Sequence, residues 1–156
     1  YYITADFLMR AVRLSPERIT VMVQKEAAER MLSQPGDKNW CATAATVCYF
    51  AEPSMVMEAP ASLFTPPPHV DSALLRLEMR ETRAVPAERE EAFLNLIQVA
   101  FRMRRKTLAN NLTAGLSLSR TDALRALEGA GLDERVRGET LTLADFERLA
   151  EALHEK

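Results

Sequence analysis

Apolar and polar positions repeat with two different periods along this chain, and the switches between periods mark its elements. Over Ala5–Leu14, the residues Phe7, Leu8, Ala11 and Val12 recur at helical spacing, which predicts an amphipathic helix. Ser15-Pro16 closes it, because the residue before a proline resists the α region. Arg18–Gln24 is a short β-branched run that suits a buried strand of an α/β sheet. Lys25–Leu32 returns to helix, and Pro35-Gly36-Asp37 is a turn. Trp40–Phe50, apolar and rich in Ala and Cys, predicts a buried helix, with Trp40 in the core. Ser54–Ala59 is a second strand candidate.

Phe64-Thr-Pro-Pro-Pro-His-Val-Asp-Ser72 follows. Its prolines hold the backbone extended and remove successive donors, so the segment is neither helix nor central strand. From Ala73 to Met79 the period is two: Ala73, Leu75, Leu77 and Met79 face one way, and Leu74, Arg76 and Glu78 the other. Beyond Arg80 the character changes. Glu81–Pro86 is a polar linker and the remainder reads as helical. Glu88–Phe101 carries Phe93, Leu96, Ile97, Ala100 and Phe101 on one face. Ser119 caps a helix that ends near Gly129 and Gly131. Thr142 caps a last helix, with Asp145 in its first turn and Phe146, Leu149 and Leu153 on the buried side. The expected division is 1–80, strands and helices, and 81–156, a small all-helical domain.

Composition excludes some classes of chemistry. The apolar stretches fall short of the ~18 residues that span a membrane. Cys41 and Cys48 cannot supply four zinc ligands, and His69 and His154 are the only histidines, so no metal site is expected. The two cysteines are expected as small buried residues on one helix face. Unpaired cysteines and no export signal point to the cytoplasm. The first residue is Tyr1 and not Met, which leads us to expect sequence before it. A net charge of −2 gives no general attraction to nucleic acid. Arg102, Arg104, Arg105 and Lys106 do so locally: they are four cations within five residues, with no acid among them.

Several strings are shared with one known family. Phe64-Thr-Pro-Pro-Pro-His-Val-Asp-Ser-Ala73 closely resembles a motif of the ribosomal RNA adenine dimethylases. Val23-Gln-Lys-Glu-Ala-Ala-Glu-Arg30 resembles the strand-to-helix turn of that family, and Phe101-Arg-Met-Arg-Arg-Lys-Thr-Leu108 its basic helix linker. Gly131-Leu-Asp133, Arg137, Glu139 and Leu141-Thr142 resemble its C-terminal signature. The matches run in the family's order across the whole chain. One departure is Cys41 after Trp40, where a glycine is expected.

The resemblance implies the C-terminal half of a doubly wound, Rossmann-like methyltransferase sheet followed by a helical RNA-binding domain. It implies an enzyme that uses S-adenosylmethionine to dimethylate N6 of two adjacent adenosines near the 3′ end of small-subunit ribosomal RNA, within the assembling subunit. Tyr1 corresponds to the tyrosine of the family's Asn-Leu-Pro-Tyr catalytic loop. The glycine-rich cofactor loop and the ribose-binding acid would lie before residue 1, so this chain alone is expected to be inactive and to hold no cofactor residues. Phe64 corresponds to a second base-stacking aromatic, whereas without the motif it would be assigned to the core. The resemblance also assigns RNA phosphate contacts to Arg102, Arg104, Arg105 and Lys106, which otherwise read as a solvated helix face. Lys25, directly after a strand, is equally an RNA contact at the ligand edge of the sheet or a solvated lysine at a helix start. His69 reads as exposed loop.

The chemistry accounts for these residue types. The lone pair of adenine N6 is delocalised into the ring, so the base must leave its stack and be fixed in place. Aromatic faces do this with ~1–3 kcal/mol per stack. Two other readings stay open: a non-catalytic RNA-binding ribosome-assembly factor of the same fold, and a large-subunit rRNA adenine dimethylase.

Overall fold

The computed structural model describes residues 2–154, apart from the side chains of residues 2–5. The chain forms two units. One holds the residues up to Gln34 together with Thr43–Arg83, and the other holds Pro35–Ala42 together with the residues from Ala84 onward. The division after Arg83 lies close to the change of composition at residue 80, and Pro35–Ala42 packs with the second unit.

In the first unit, helix α1 (Tyr2–Arg13) leads to strand β1 (Arg18–Gln24), helices α2 (Lys25–Met31) and α3 (Ala42–Phe50), then strands β2 (Ala51–Ala59) and β3 (Ser72–Met79). The sheet order is β1-β3-β2, and β3 is antiparallel to both neighbours. The two outer strands therefore run parallel to each other, joined by a helical crossover, with the last strand inserted between them. Ile19, Val21 and Val23 lie opposite Leu77, Leu75 and Ala73. Directly paired residues share a face, and α2 packs against both β1 and β3. Leu75, Leu77 and Ala73 are fully buried there, each large side chain contributing ~1.5–3 kcal/mol.

Three expectations for this unit need correction. β1 is not buried throughout: it is an edge strand of the described sheet, Val23 is its one buried residue, and Met22 is 52% exposed. Successive side chains of a strand point to opposite faces, and Val23 lies on the buried face while Met22 lies on the other. In α1, Leu8 and Val12 are buried but Phe7 is 56% exposed. The reason is that Phe7 lies ~100° around the helix from Leu8. Helix α1 does end before Pro16, but Ser15 adopts a left-handed φ of 50° and not the extended region.

The second unit contains α4 (Glu90–Phe101), α5 (Leu108–Leu116), α6 (Arg120–Gly129) and α7 (Leu143–His154). Helix α4 ends at Phe101, the limit expected from the sequence, whereas α5 was not singled out from it. Phe93, Leu96, Ile97 and Ala100 are buried as expected, and Phe101 is half-buried. Ser119 caps α6 by accepting from Asp122 N at 3.0 Å. That helix ends in a reciprocal pair of bonds, Leu132 N to Leu127 O and Gly131 N to Glu128 O, both 2.9 Å, with Gly131 left-handed at φ 69°. Trp40 is 2% exposed, and its indole N–H donates to Leu141 O at 3.1 Å. Its ring stands edge-on to Phe101 at 6.5 Å between centroids. Because α3 begins at Ala42, Trp40 and Cys41 precede it, so Cys41 and Cys48 do not share a helix face. Both cysteines are half-buried, and burial pushes the Cys48 thiol above its usual range, with Arg80 opposing. Among the described residues no helix is long and apolar enough to cross a membrane.

Candidate functional site

Gln24, the last residue of β1, and Ala59, the last of β2, both pair with Ser72, the first of β3. The parallel strands thus finish at one edge of the sheet, and the proline segment joins β2 to β3 there. Carboxyl edges of open α/β sheets are where ligands bind. Phe64 sits on this segment, extended at φ −110° and ψ 151°, and half-buried. It follows a single 3-10 turn, Ala61–Leu63, and its N–H donates to Ala61 O at 3.2 Å. Pro66–Pro68 supply no backbone donors, so the chain beyond Phe64 cannot fold back into a ladder.

Lys25 opens α2 at the same edge. Its ammonium donates to Glu58 Oε2 at 2.8 Å. The hydrogen bond from Lys25 to Glu58, with the carboxylate's charge, holds the Lys25 pKa above the ordinary lysine value, and Glu29 and Asp71 add to this against desolvation. The pair is largely exposed, so its stabilising effect is small. It ties the end of β2 to the start of α2. A recess of about 370 Å³ lies beside it, lined by Gln24, Lys25, Glu26, Glu29, His69 and Asp71 among others. His69 is exposed there. Tyr1 lies outside the described residues.

Asp71 was not singled out from the sequence. Its Oδ1 accepts from Ala61 N at 2.8 Å and its backbone oxygen accepts from Lys25 N at 3.0 Å. The signal was present, since Asp is the one acid of the proline motif.

In the second unit, the basic residues occupy the turn between α4 and α5. Arg102, Arg104, Arg105 and Lys106 are all exposed. Among the described residues, Arg104 is the one of the four held: it donates to Lys38 O at 2.9 Å and lies 3.7 Å from Glu139. Glu139 also lies 3.9 Å from Arg137, so one residue of the C-terminal signature meets the basic turn and a second lies beside it. The turn is shaped by Asn111, which is 1% exposed. Its Nδ2 donates to Ala100 O at 3.2 Å and Met103 O at 3.3 Å, while its Oδ1 accepts from Met103 N at 2.9 Å. Gly138 lies against the same place: a Cβ there would sit 2.4 Å from Ala100 O. Asn111 went unnoticed in the sequence, although an asparagine between buried leucines of a helix needs local partners.

The residues present do not fit a cradle for S-adenosylmethionine. The β1-to-α2 turn is Gln24-Lys25, without glycine. Of the five glycines, Gly36, Gly115, Gly129, Gly131 and Gly138, none stands at a strand-to-helix turn.

A parallel strand pair joined by a helical crossover, with an antiparallel strand between and a helical unit behind it in sequence, is the C-terminal architecture of an α/β methyltransferase. The solved structures agree. A dimethyladenosine transferase from Plasmodium falciparum superposes with a TM-score of 0.82 at 26% identity, over 96% of this chain and 62% of that one. The 23S rRNA methyltransferase ErmE shares the fold, with a TM-score of 0.69 at 24% identity, over 99% and 62%. The chain belongs to the ribosomal RNA adenine dimethylase family, whose pattern it matches over residues 1–155. Similar curated proteins include the ribosomal RNA small subunit methyltransferases A of Alkaliphilus oremlandii, 38% identical over 100% of this chain and 55% of that protein, and of Pelotomaculum thermopropionicum, 41% identical over 97% and 52%. The chain spans about half the length of the curated relatives it matches.

Proposed function

We propose that this chain is the RNA-handling half of an enzyme that dimethylates N6 of two adjacent adenosines near the 3′ end of small-subunit ribosomal RNA. S-adenosylmethionine would be the methyl donor, held by residues outside this chain. The observation that carries the reading is Phe64, half-buried on a donor-poor proline segment at the edge where both parallel strands finish. A side chain so placed offers a ring face without surrendering it to the core. The flipped adenine stacks on it, Tyr1 supplies the opposing aromatic face, and the catalytic loop to which Tyr1 corresponds supplies the acceptors for the N6 protons. Arg102, Arg105 and Lys106, for which the described residues offer no close partner, contact phosphates. For Arg104 and Lys25, a phosphate would have to compete with the contacts to Lys38, Glu139 and Glu58. Small-subunit relatives at about 40% identity support the small-subunit target over the large. The cytoplasm, where the subunit is assembled, is the setting.

The test is methyl transfer by the full-length protein to unmethylated small-subunit rRNA and, separately, to large-subunit rRNA. N6-dimethyladenosine in the small-subunit RNA, lost in Phe64→Ala with RNA affinity kept, is the expected result. RNA binding with no methyl transfer would favour a non-catalytic assembly factor, and transfer to large-subunit RNA alone the other dimethylase.

A further inference from the structure

We propose that Asp71 is a positioning residue that sets the place of the Phe64 ring by closing the proline segment across its base. The inference rests on the reading of Phe64 as the base-stacking side chain.

The segment leaves β2 at Ala59 and joins β3 at Ser72, residues that pair with each other. What it does between is not dictated by the sheet. Asp71 Oδ1 takes the Ala61 N–H at 2.8 Å across ten residues of sequence. Ala61 O in turn takes the Phe64 N–H at 3.2 Å. Two hydrogen bonds in series therefore run from the Asp71 carboxylate to the backbone of Phe64. On the other side of Phe64, Pro66, Pro67 and Pro68 have no N–H to anchor with. The ring's position thus depends on the Ala61 side of the segment. A carboxylate accepting a backbone N–H is also the stronger kind of hydrogen bond.

Asp71 is fixed in its own right. Its carbonyl oxygen accepts the first N–H of α2, from Lys25, at 3.0 Å. Helix start, strand start and proline segment meet at this one residue. A loop tied at both ends presents a preformed stacking surface, whereas an untied one must be ordered when the base arrives. Geometry of this kind acts on the rate of the bound complex more than on the affinity for RNA, which phosphates dominate.

The experiment compares Asp71→Ala, Asp71→Asn, Ala61→Pro and Phe64→Ala in the full-length protein, with hydrogen exchange of the segment followed alongside methylation. Asp71→Ala is expected to lower kcat by on the order of 10- to 100-fold with KM for RNA within about 2-fold. It should also speed amide exchange at Ala61 and Phe64. Asp71→Asn keeps the Oδ1 acceptor and should restore most of both. Ala61→Pro removes the donor from the opposite partner and should reproduce the loss of kcat and the faster exchange at Phe64 expected of Asp71→Ala, which keeps the test decisive if the alanine variant folds poorly. If Phe64→Ala abolishes turnover but Asp71→Ala and Ala61→Pro leave kcat intact, the positioning role is wrong and the stacking role stands. If Phe64→Ala is itself without effect, the stacking role fails and takes this inference with it. Equal losses in Asp71→Asn and Asp71→Ala, with exchange unchanged, would also overturn the proposal.

Discussion

Asn111, in the first turns of α5, donates to Ala100 O, in the last turn of α4, at 3.2 Å, and so ties together the two ends of the basic turn. With the same side chain also engaging Met103 on both its N–H and its carbonyl, the turn that carries Arg102, Arg105 and Lys106 is held from beneath by one buried carboxamide. Asn111→Ala removes the acceptor of Met103 N and a donor to the buried Ala100 O, while Met103 O keeps the Lys106 N–H at 2.9 Å. We expect a loss of about 2–3 kcal/mol in urea denaturation of the chain. A loss below ~0.5 kcal/mol would mean that water replaces the side chain freely.

The basic turn itself should be dispensable for folding and costly for RNA binding. Replacing Arg102, Arg105 and Lys106 with alanine should weaken RNA binding and lower the slope of log affinity against log salt by about two units, since each phosphate contact contributes roughly 0.7–0.9. The apolar side of α4, built from Phe93, Leu96 and Ile97, is untouched. Filter binding over a salt series, with circular dichroism of both proteins, decides the matter. Coincident slopes in two folded proteins would leave the cations as a solvated surface.

Arg104→Ala should behave differently from that triple variant. Its guanidinium is bonded to Lys38 O and lies near Glu139, so its removal should loosen Pro35–Ala42 more than it weakens RNA binding. Faster amide exchange around Trp40, with an RNA salt slope changed by less than about one unit, is the expected pair of results.

Residues 1–156 should not bind S-adenosylmethionine with micromolar affinity, because no glycine stands at a strand-to-helix turn. Isothermal titration measures this directly. A micromolar isotherm would show a donor site of a kind that these residues do not suggest.

Helix α7 offers a pH test. Thr142 Oγ accepts from Asp145 N at 3.1 Å, and Thr142 N donates to Asp145 Oδ2 at 2.8 Å. Burial pushes the Asp145 carboxyl up, but hydrogen bonds from the Thr142 hydroxyl and N–H, with Arg148, outweigh it and hold the pKa below the usual carboxylate value. A carboxyl lowered on folding stabilises the fold above its unfolded pKa, and that contribution is lost as pH falls through the folded value. Thr142→Ala should remove about 1 kcal/mol at neutral pH. Asp145→Asn should be less stable than the wild type at pH 7 and converge with it only as the pH falls below the ordinary carboxylate range. A difference that persists undiminished in acid would place the effect in packing and not in charge.

Much of this molecule was settled by local sequence. The limits of β1, Arg18–Gln24, coincide with the β-branched run, and the caps Ser119 and Thr142 lie where short-range side-chain chemistry places them. Those features depend on neighbours within four residues, which is the range a pattern can encode. The motif strings likewise identified Phe64 and the basic residues as candidates, because their spacing is contiguous. Tertiary structure alone decided the rest. Which face of β1 is covered depends on what packs on the sheet it forms with β3, some fifty residues later, and Met22, on the opposite face from the buried Val23, is left exposed. Phe7 and Leu8 are equally apolar, but a helix packs along one stripe, and only contact with the sheet selects Leu8 and Val12. The partners of Arg104 and Lys25, at Lys38, Glu139 and Glu58, lie 33 or more residues away. Charge pairing at such separations leaves no period in the sequence. Whether a cation is tied or available is therefore a property of the fold and not of the motif.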